Sequence, residues 1–162
     1  SSAASDVYKR QDLVDAFPDI DFHIGAQTSM GPKLTCLEDK RNVHLYPGIR
    51  QEKYQELLRN CFIYLDLNYG SEVSDVTLDA IENGQLLFGL ESTVHRHYYK
   101  DLPTVYTSLE ELEQGFRQLI QQAEFYPKAL ESQKEVLKLA EREEILAFFT
   151  RMEGEKDDDL HL

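Results

Sequence analysis

The sequence lacks several features that would point to a function directly. It has no Trp, only two Cys, and 17 Lys plus Arg against 30 Asp plus Glu, which gives a net charge of −13. Such an acidic excess argues against a nucleic-acid backbone or an anionic membrane as the main partner, because either needs clustered Lys and Arg. No apolar run is long enough for a membrane span, and no signal peptide is visible.

The motifs of several enzyme classes are also missing. Neither a GxGxxG nor a GxxxxGK[ST] phosphate loop occurs, and no GxSxG elbow supports a hydrolase triad. The five His show no HExxH spacing, and His95 and His97 flank Arg96 in an expected loop, so we expect no metal site. Cys36 and Cys61 are far apart in sequence. We expect both to be reduced thiols in the core of a cytoplasmic protein.

What is present is an alternation of short strands and helices. Strands are predicted at residues 20–25, 42–47, 62–67, 86–90 and 104–106, and helices at 12–17, 33–39, 51–60 and about 75–83. The last of these helices is expected to stop at Asn83-Gly84. This order predicts one α/β domain over residues 12–152, with a Rossmann-like, doubly wound, mostly parallel sheet.

The C-terminal third is predicted to be a helical extension. Ser108 and Glu111 form a capping box in which Glu111 reaches back to the Ser108 amide. A long final helix is expected from about Pro127 towards Met152, followed by an acidic disordered tail at 153–162. The expected apolar faces are Leu112, Phe116, Leu119 and Ile120 in the first helix, and Val136, Leu137, Ala140, Ile145, Phe148 and Phe149 in the second.

The first eleven residues do not fit this pattern. Ser1 to Gln11 shows no helical or strand period and resembles a translated adaptor sequence. We therefore expect residues 1–11 to be non-native and the domain to lack the strand that would precede Asp12.

Polar residues follow the predicted strands at their carboxyl ends, where open α/β sheets bind ligands. The candidate ligand-binding residues are Thr28 and Ser29 after the first strand, Asn68, Gly70, Ser71 and Glu72 after the third, and Thr93 and His95 after the fourth. Hydroxyls and amides in such turns can bind phosphate oxygens. Each also has a plainer interpretation: Glu72 suits a helix N-terminus, and the others suit polar surface loops.

The segments "DFHIGAQTSM", "NVHLYPGI", "CFIYLDLNYGSEVSDV" and "DAIENGQLLFG" occur in that order. From about Asp12 to Glu110, the chain resembles the C-terminal half of GT-B glycosyltransferases. It is most similar to the bacterial accessory-secretion group that glycosylates serine-rich-repeat adhesins. That group contains a catalytic glycosyltransferase and a non-catalytic glycosylation chaperone.

The resemblance implies a domain that binds a nucleotide sugar, UDP-linked, as substrate, with no further cofactor and no metal. It assigns Glu72 to the donor hydroxyls. Many retaining members place two acids eight positions apart, whereas Glu72 and Asp79 are seven apart. The residues that grip the diphosphate and the acceptor domain are expected upstream of Asp12, so this chain alone is expected to be inactive.

Two functions stay open at this point. In the first, the chain is the donor-binding half of a glycosyltransferase that acts on a protein acceptor. In the second, it belongs to a non-catalytic subunit that stabilises a partner glycosyltransferase and binds an unfolded, Ser/Thr-rich adhesin. The scarcity of basic residues in the candidate loops favours the second, because a diphosphate needs positive charge or helix N-termini.

Overall fold

The computed structural model describes residues 10–67 and 76–160, with the backbone alone for 155–160. The chain divides into two compact units, an N-terminal unit (Ser1–Phe62) and a C-terminal unit (Ile63–Leu162).

Within its described residues, 10–62, the N-terminal unit contains two parallel strands and three helices. Helix α1 covers residues 10–16, and the remaining elements are β1 (Phe22–Gly25), α2 (Pro32–Thr35), β2 (Val43–Tyr46) and α3 (Gln51–Asn60). The two strands pair in register from Phe22 opposite Val43 to Gly25 opposite Tyr46. Their apolar face packs on Val14 and Leu37, so burial of these side chains holds the unit together.

The C-terminal unit is built on a three-stranded parallel sheet. Its elements are β3 (Ile63–Asp66), α4 (Val76–Glu82), β4 (Leu86–Leu90), a 3₁₀ helix (His97–Asp101), β5 (Val105–Tyr106), α5 (Leu109–Gln121) and α6 (Phe125–Leu160). The strand order is β3-β4-β5, and every residue of the central strand β4 is buried. This matches its unbroken apolar sequence, because a strand covered on both faces needs no alternation.

Much of the predicted architecture is confirmed. The α/β class, the parallel strand pairing and the C-terminal helical extension are present. Helix α3 and strand β4 have the predicted bounds. Gly84 has a φ of +83° after α4, the left-handed conformation expected at a helix stop.

The apolar faces of the C-terminal helices were predicted wrongly in part. Ile120 of α5 is 59 % exposed, and Ile145, Phe148 and Phe149 of α6 are 48 %, 52 % and 56 % exposed. Helix α6 also continues to Leu160, past the expected end at Met152. Gly154 lowers helix propensity by only about 1 kcal/mol, and no Pro follows it, so nothing local forces the helix to stop there.

One other local prediction needs correction. Cys36 is exposed and not in the core; it ends α2, where its thiol donates to the Lys33 carbonyl at 3.2 Å.

The predicted capping box is confirmed. The Ser108 hydroxyl accepts from the Glu111 amide at 3.3 Å, and the Glu111 carboxylate accepts from the Ser108 amide. The same carboxylate also accepts from the Thr107 amide and hydroxyl, at 3.1 and 2.7 Å.

Candidate functional site

The predicted ligand-binding residues fall into three groups. Asn68, Gly70, Ser71 and Glu72 lie outside the described residues, and their roles stay predictions. Thr28 and Ser29 are exposed in the N-terminal unit, and Thr93 and His95 belong to the C-terminal unit, where Thr93 is buried and His95 is exposed.

The loops that follow β1 and β2 are joined by backbone hydrogen bonds. The Gly48 amide donates to the Thr28 carbonyl at 2.9 Å, and the Ile49 amide donates to the Ala26 carbonyl at 2.8 Å. Gly48 has a φ of +55°, which favours glycine over residues with a Cβ atom. These bonds fix the shape of the carboxyl end of this strand pair.

An open pocket of about 330 Å³ lies beside the β2 loop. Its lining residues are Leu45, Tyr46, Pro47, Gly48, Ile49, Arg50 and Lys53. Arg50 is the N-cap of α3 and makes no side-chain capping bond. The pocket therefore places Arg50 and Lys53, the latter paired with Glu56 at 3.2 Å, beside the amino end of a ten-residue helix. The amino end of a helix attracts anions.

An aromatic row extends from this pocket across the more exposed face of β1 and β2. The Lys53 ammonium lies 5.3 Å from the centre of the Tyr46 ring, and the Tyr46 hydroxyl is 2.9 Å from His23 Nδ1. The His23 ring stacks on the His44 ring, with centroids 4.8 Å apart. His44 Nε2 is in turn 3.1 Å from Asp21 Oδ1, so the row is linked from its cationic to its acidic end.

The pKa of His23 is lowered from its ordinary value of 6.5, first by partial burial and then by the neighbouring His44. Lys53 acts in the same direction, whereas Asp21 and Glu56 oppose it. None of the residues His23, Tyr46, Arg50 and Lys53 was predicted to bind a ligand. The available signal was the Pro47-Gly48 turn directly after a strand, followed by one cation just before a helix and another in its first turn.

The end of the sheet in the C-terminal unit is held by Thr93. Its hydroxyl donates to the Asp66 carbonyl at 2.7 Å, and it also bonds to both backbone groups of Leu90. Gly89 lies beside this junction, where an added Cβ would come 3.1 Å from Val94 and 3.3 Å from the Asp66 carbonyl oxygen. Thr93 thus joins the ends of β3 and β4, and its hydroxyl is already occupied by backbone partners.

Among the side chains of residues 10–67 and 76–154 there is no group of three or more His, Cys, Asp or Glu placed to hold a metal ion. Across the same ranges, no helix combines the length and hydropathy that crossing a bilayer requires.

The profile of the family described as "GftB/GlyA-F C-terminal domain" matches residues 2–133 of the chain. The match covers both units, including the β2 loop and the 93–95 segment, and stops in the first half of α6.

The chain is similar to curated proteins of two kinds, some named as glycosyltransferase-stabilising proteins and others named as glycosyltransferases. The "UDP-N-acetylglucosamine–peptide N-acetylglucosaminyltransferase stabilizing protein GtfB" of Streptococcus parasanguinis is 42 % identical over 83 residues, which is 51 % of this chain and 19 % of that protein. The "Glycosyltransferase GlyD" of Streptococcus pneumoniae is 36 % identical over 85 residues, or 52 % of this chain and 10 % of that protein. The chain thus spans a fifth or less of these relatives.

A solved structure shares the fold over most of the chain. One chain of the "Crystal structure of GtfA/B complex bound to UDP and GlcNAc" superimposes with a TM-score of 0.68 and 30 % identity, covering 78 % of this chain and 29 % of that one. The glycosyltransferase GlyE of S. pneumoniae superimposes with a TM-score of 0.62 at 21 % identity, which supports the fold alone.

Proposed function

Because the chain belongs to the GftB/GlyA-F C-terminal domain family, we propose that it is the C-terminal part of a non-catalytic subunit that stabilises a partner glycosyltransferase. The observation that carries this proposal is the 42 % identity to a GtfB stabilising protein. The partner would be a catalytic subunit of the GtfA kind, as in the GtfA/B complex that shares this fold. The client would be a Ser/Thr-rich peptide.

The described contacts of Thr93 and His95 favour the stabilising function over a donor-binding one. Thr93 was a candidate for donor binding, but its hydroxyl is buried and bonded to the backbone of Asp66 and Leu90. A hydroxyl in such bonds would have to give them up to bind a sugar, at a cost of about 1–3 kcal/mol. His95 is exposed and makes a weak candidate for an enclosed donor site.

A second function is favoured by the pocket beside the β2 loop. Arg50, Lys53 and the amino end of α3 suit the phosphates of a nucleotide, and Tyr46 offers an aromatic ring. Relatives named as glycosyltransferases, including GlyD, are also similar to this chain. In this alternative the pocket takes part of a UDP-linked donor, and the full-length parent is an enzyme.

One experiment separates the two functions. Isothermal titration of UDP and of UDP-N-acetylglucosamine into the 162-residue chain measures donor binding. A parallel thermal-shift series measures whether the chain raises the Tm of a GtfA-type glycosyltransferase. The stabilising function predicts a higher Tm for the glycosyltransferase and no nucleotide affinity tighter than about 1 mM.

The matched variants are Arg50→Gln with Lys53→Gln at the pocket, and Lys134→Gln with Lys138→Gln on exposed turns of α6. Micromolar nucleotide binding that is lost only in the pocket pair would establish the donor function instead. A chain that neither binds nucleotide nor changes the Tm of the glycosyltransferase would refute both proposals.

A further inference from the structure

The second half of α6 carries an exposed apolar face. Ile145, Phe148, Phe149 and Met152 are 48 %, 52 %, 56 % and 42 % exposed, and their spacing of three and four residues puts them on one side of the helix. The rings of Phe148 and Phe149 touch edge to face, with centroids 5.9 Å apart. Leu146, 65 % exposed, borders this face. We call these five residues the distal face.

The distal face points away from the side of α6 that packs on its own unit. Ala129, Gln133 and Ala140 are buried at 7 %, 1 % and 8 % exposure, and they define the packed side. At 3.6 residues per turn, Ile145 lies about 140° around the helix from Ala140. The sheet that covers Gln133 therefore cannot also cover Phe149, because a helix cannot present opposite sides to one neighbour.

The distal face also lies beyond the family match. The profile ends at residue 133, and the apolar residues at 145–152 follow it. An exposed apolar cluster of this size is characteristic of an interaction surface, since monomers rarely expose contiguous patches larger than a few hundred Å².

We infer that the distal face is a self-association surface, on which α6 of a second copy packs antiparallel with its centre between Ala147 and Phe148. In this register Arg142 lies opposite Glu153 of the second copy. By helix geometry, Arg142 and Glu153 share one edge of the distal face. Both are exposed. Two-fold symmetry repeats this pair, so that edge is complementary in charge.

The antiparallel orientation follows from the charge after Met152. Residues 153–159 read Glu-Gly-Glu-Lys-Asp-Asp-Asp. A parallel pair would bring two such acidic segments together, and like charges at that distance repel. The antiparallel pair separates the two acidic segments. It also points the two helix dipoles in opposite directions, which is the favourable arrangement.

The area is adequate for a specific contact. Large apolar side chains present about 150–250 Å² each, and about half of each distal-face side chain is exposed. Pairing two copies would remove roughly 1,000 Å² from water, which is near the lower limit for a specific interface. We therefore expect a concentration-dependent dimer.

Sedimentation equilibrium of the 162-residue chain, from about 1 to 200 µM, tests this inference. We expect a monomer–dimer equilibrium that Ile145→Glu with Phe149→Glu weakens at least about tenfold, because two desolvated apolar anchors become charged. The control is Ile120→Glu, the same change at an exposed apolar residue of α5. Circular dichroism melts verify that each variant is folded.

Charge reversals test the register. Arg142→Glu is expected to weaken the dimer, and adding Glu153→Arg is expected to restore it. A monomer across the concentration range would overturn the inference, as would a dimer that Ile120→Glu disrupts and the distal-face variant does not. A dimer that Arg142→Glu leaves unchanged, or one that Glu153→Arg does not restore, would overturn the proposed arrangement.

Discussion

The side chain of Gln133 hydrogen-bonds to the backbone at Leu87, in the middle of the buried strand β4. Gln133 Oε1 accepts from the Leu87 amide at 2.9 Å, and Nε2 donates to the Gln85 carbonyl at 2.9 Å. Strand β5 pairs with β4 only at Gly89 and Leu90. Helix α6 therefore supplies, through one side chain, the hydrogen bonds that a longer strand would have made. The Thr104 hydroxyl likewise donates a hydrogen bond to the Leu87 carbonyl.

Replacing Gln133 by Leu should destabilise the chain strongly. The substitution keeps the apolar volume but leaves the Leu87 amide and the Gln85 carbonyl buried without these partners, at about 1–3 kcal/mol each. We expect a loss of about 2–5 kcal/mol in the free energy of unfolding, measured by urea denaturation. Gln118→Leu, at an exposed glutamine of α5, is the control and should change little. Equal effects at both positions would contradict the proposed role of Gln133.

Two glycines in helices should respond to alanine with opposite signs. A Cβ at Gly115 of α5 would lie 2.1 Å from the Tyr106 hydroxyl oxygen, whereas Gly154 of α6 has open space around it. Gly115→Ala should lower the free energy of unfolding by about 1–3 kcal/mol through overpacking. Gly154→Ala should raise it by about 0.5–1 kcal/mol, because alanine favours the helix.

Tyrosine absorbance gives an independent readout of the Gly115 contact. Burial raises the pKa of Tyr106 to about 12. If alanine at position 115 displaces the phenol towards solvent, the pKa of Tyr106 should fall towards its ordinary value of 10. An alkaline absorbance titration compared with Tyr106→Phe isolates this group. An unchanged Tyr106 titration in Gly115→Ala would mean that the helix moved and the tyrosine did not.

The sequence was informative where local pattern decides the structure. Strand β4 is a continuous apolar run before a polar segment, and α3 has a clear buried stripe, so both bounds were predicted. The apolar side of α6 was not resolved, because periodicity shows that a residue is apolar but not which neighbour covers it. Val136 and Ala140 face the unit's own core, whereas Phe148 and Phe149 belong to a different side of the same helix.

The pocket beside the β2 loop was missed for a related reason. Lys53 and Tyr46 meet across a turn whose shape depends on the backbone bond between Gly48 and Thr28. That bond joins residues distant in sequence, and the hydrophobic periodicity of the sequence does not predict it. Thr93 shows the converse case. Its position after a strand predicted a ligand contact, but a hydroxyl in that position is equally able to bond to neighbouring strand ends, as it does here.

Stability should depend on pH through His23. The pKa of His23 is lowered in the folded state, mainly by partial burial and then by His44, so the folded state prefers the neutral ring. The contribution of the neutral His23 ring to the free energy of unfolding is fully present above the ordinary pKa of 6.5. It is lost as the pH falls through the lower pKa of the folded state. The drop in Tm between about pH 7.5 and about pH 5.5 should therefore be smaller in His23→Gln than in the parent chain. His95→Gln, on an exposed loop, is the control and should leave the drop unchanged.

The Thr93 hydroxyl joins the carbonyl of Asp66 to the end of β4. Thr93→Val removes the hydroxyl at nearly constant volume and should lower the free energy of unfolding by about 1–3 kcal/mol, because the bonded groups are buried. Thr93→Ser keeps the hydroxyl and should retain most of that stability, with a smaller loss from the missing methyl group. Urea denaturation measures both variants, and UDP titrations of the same samples separate the structural role from a donor contact. If Thr93 acts only on the strand ends, the two variants should differ in stability and give the same nucleotide response. A nucleotide affinity that follows the hydroxyl, weak in the valine variant and intact in the serine variant, would instead place Thr93 in a donor site.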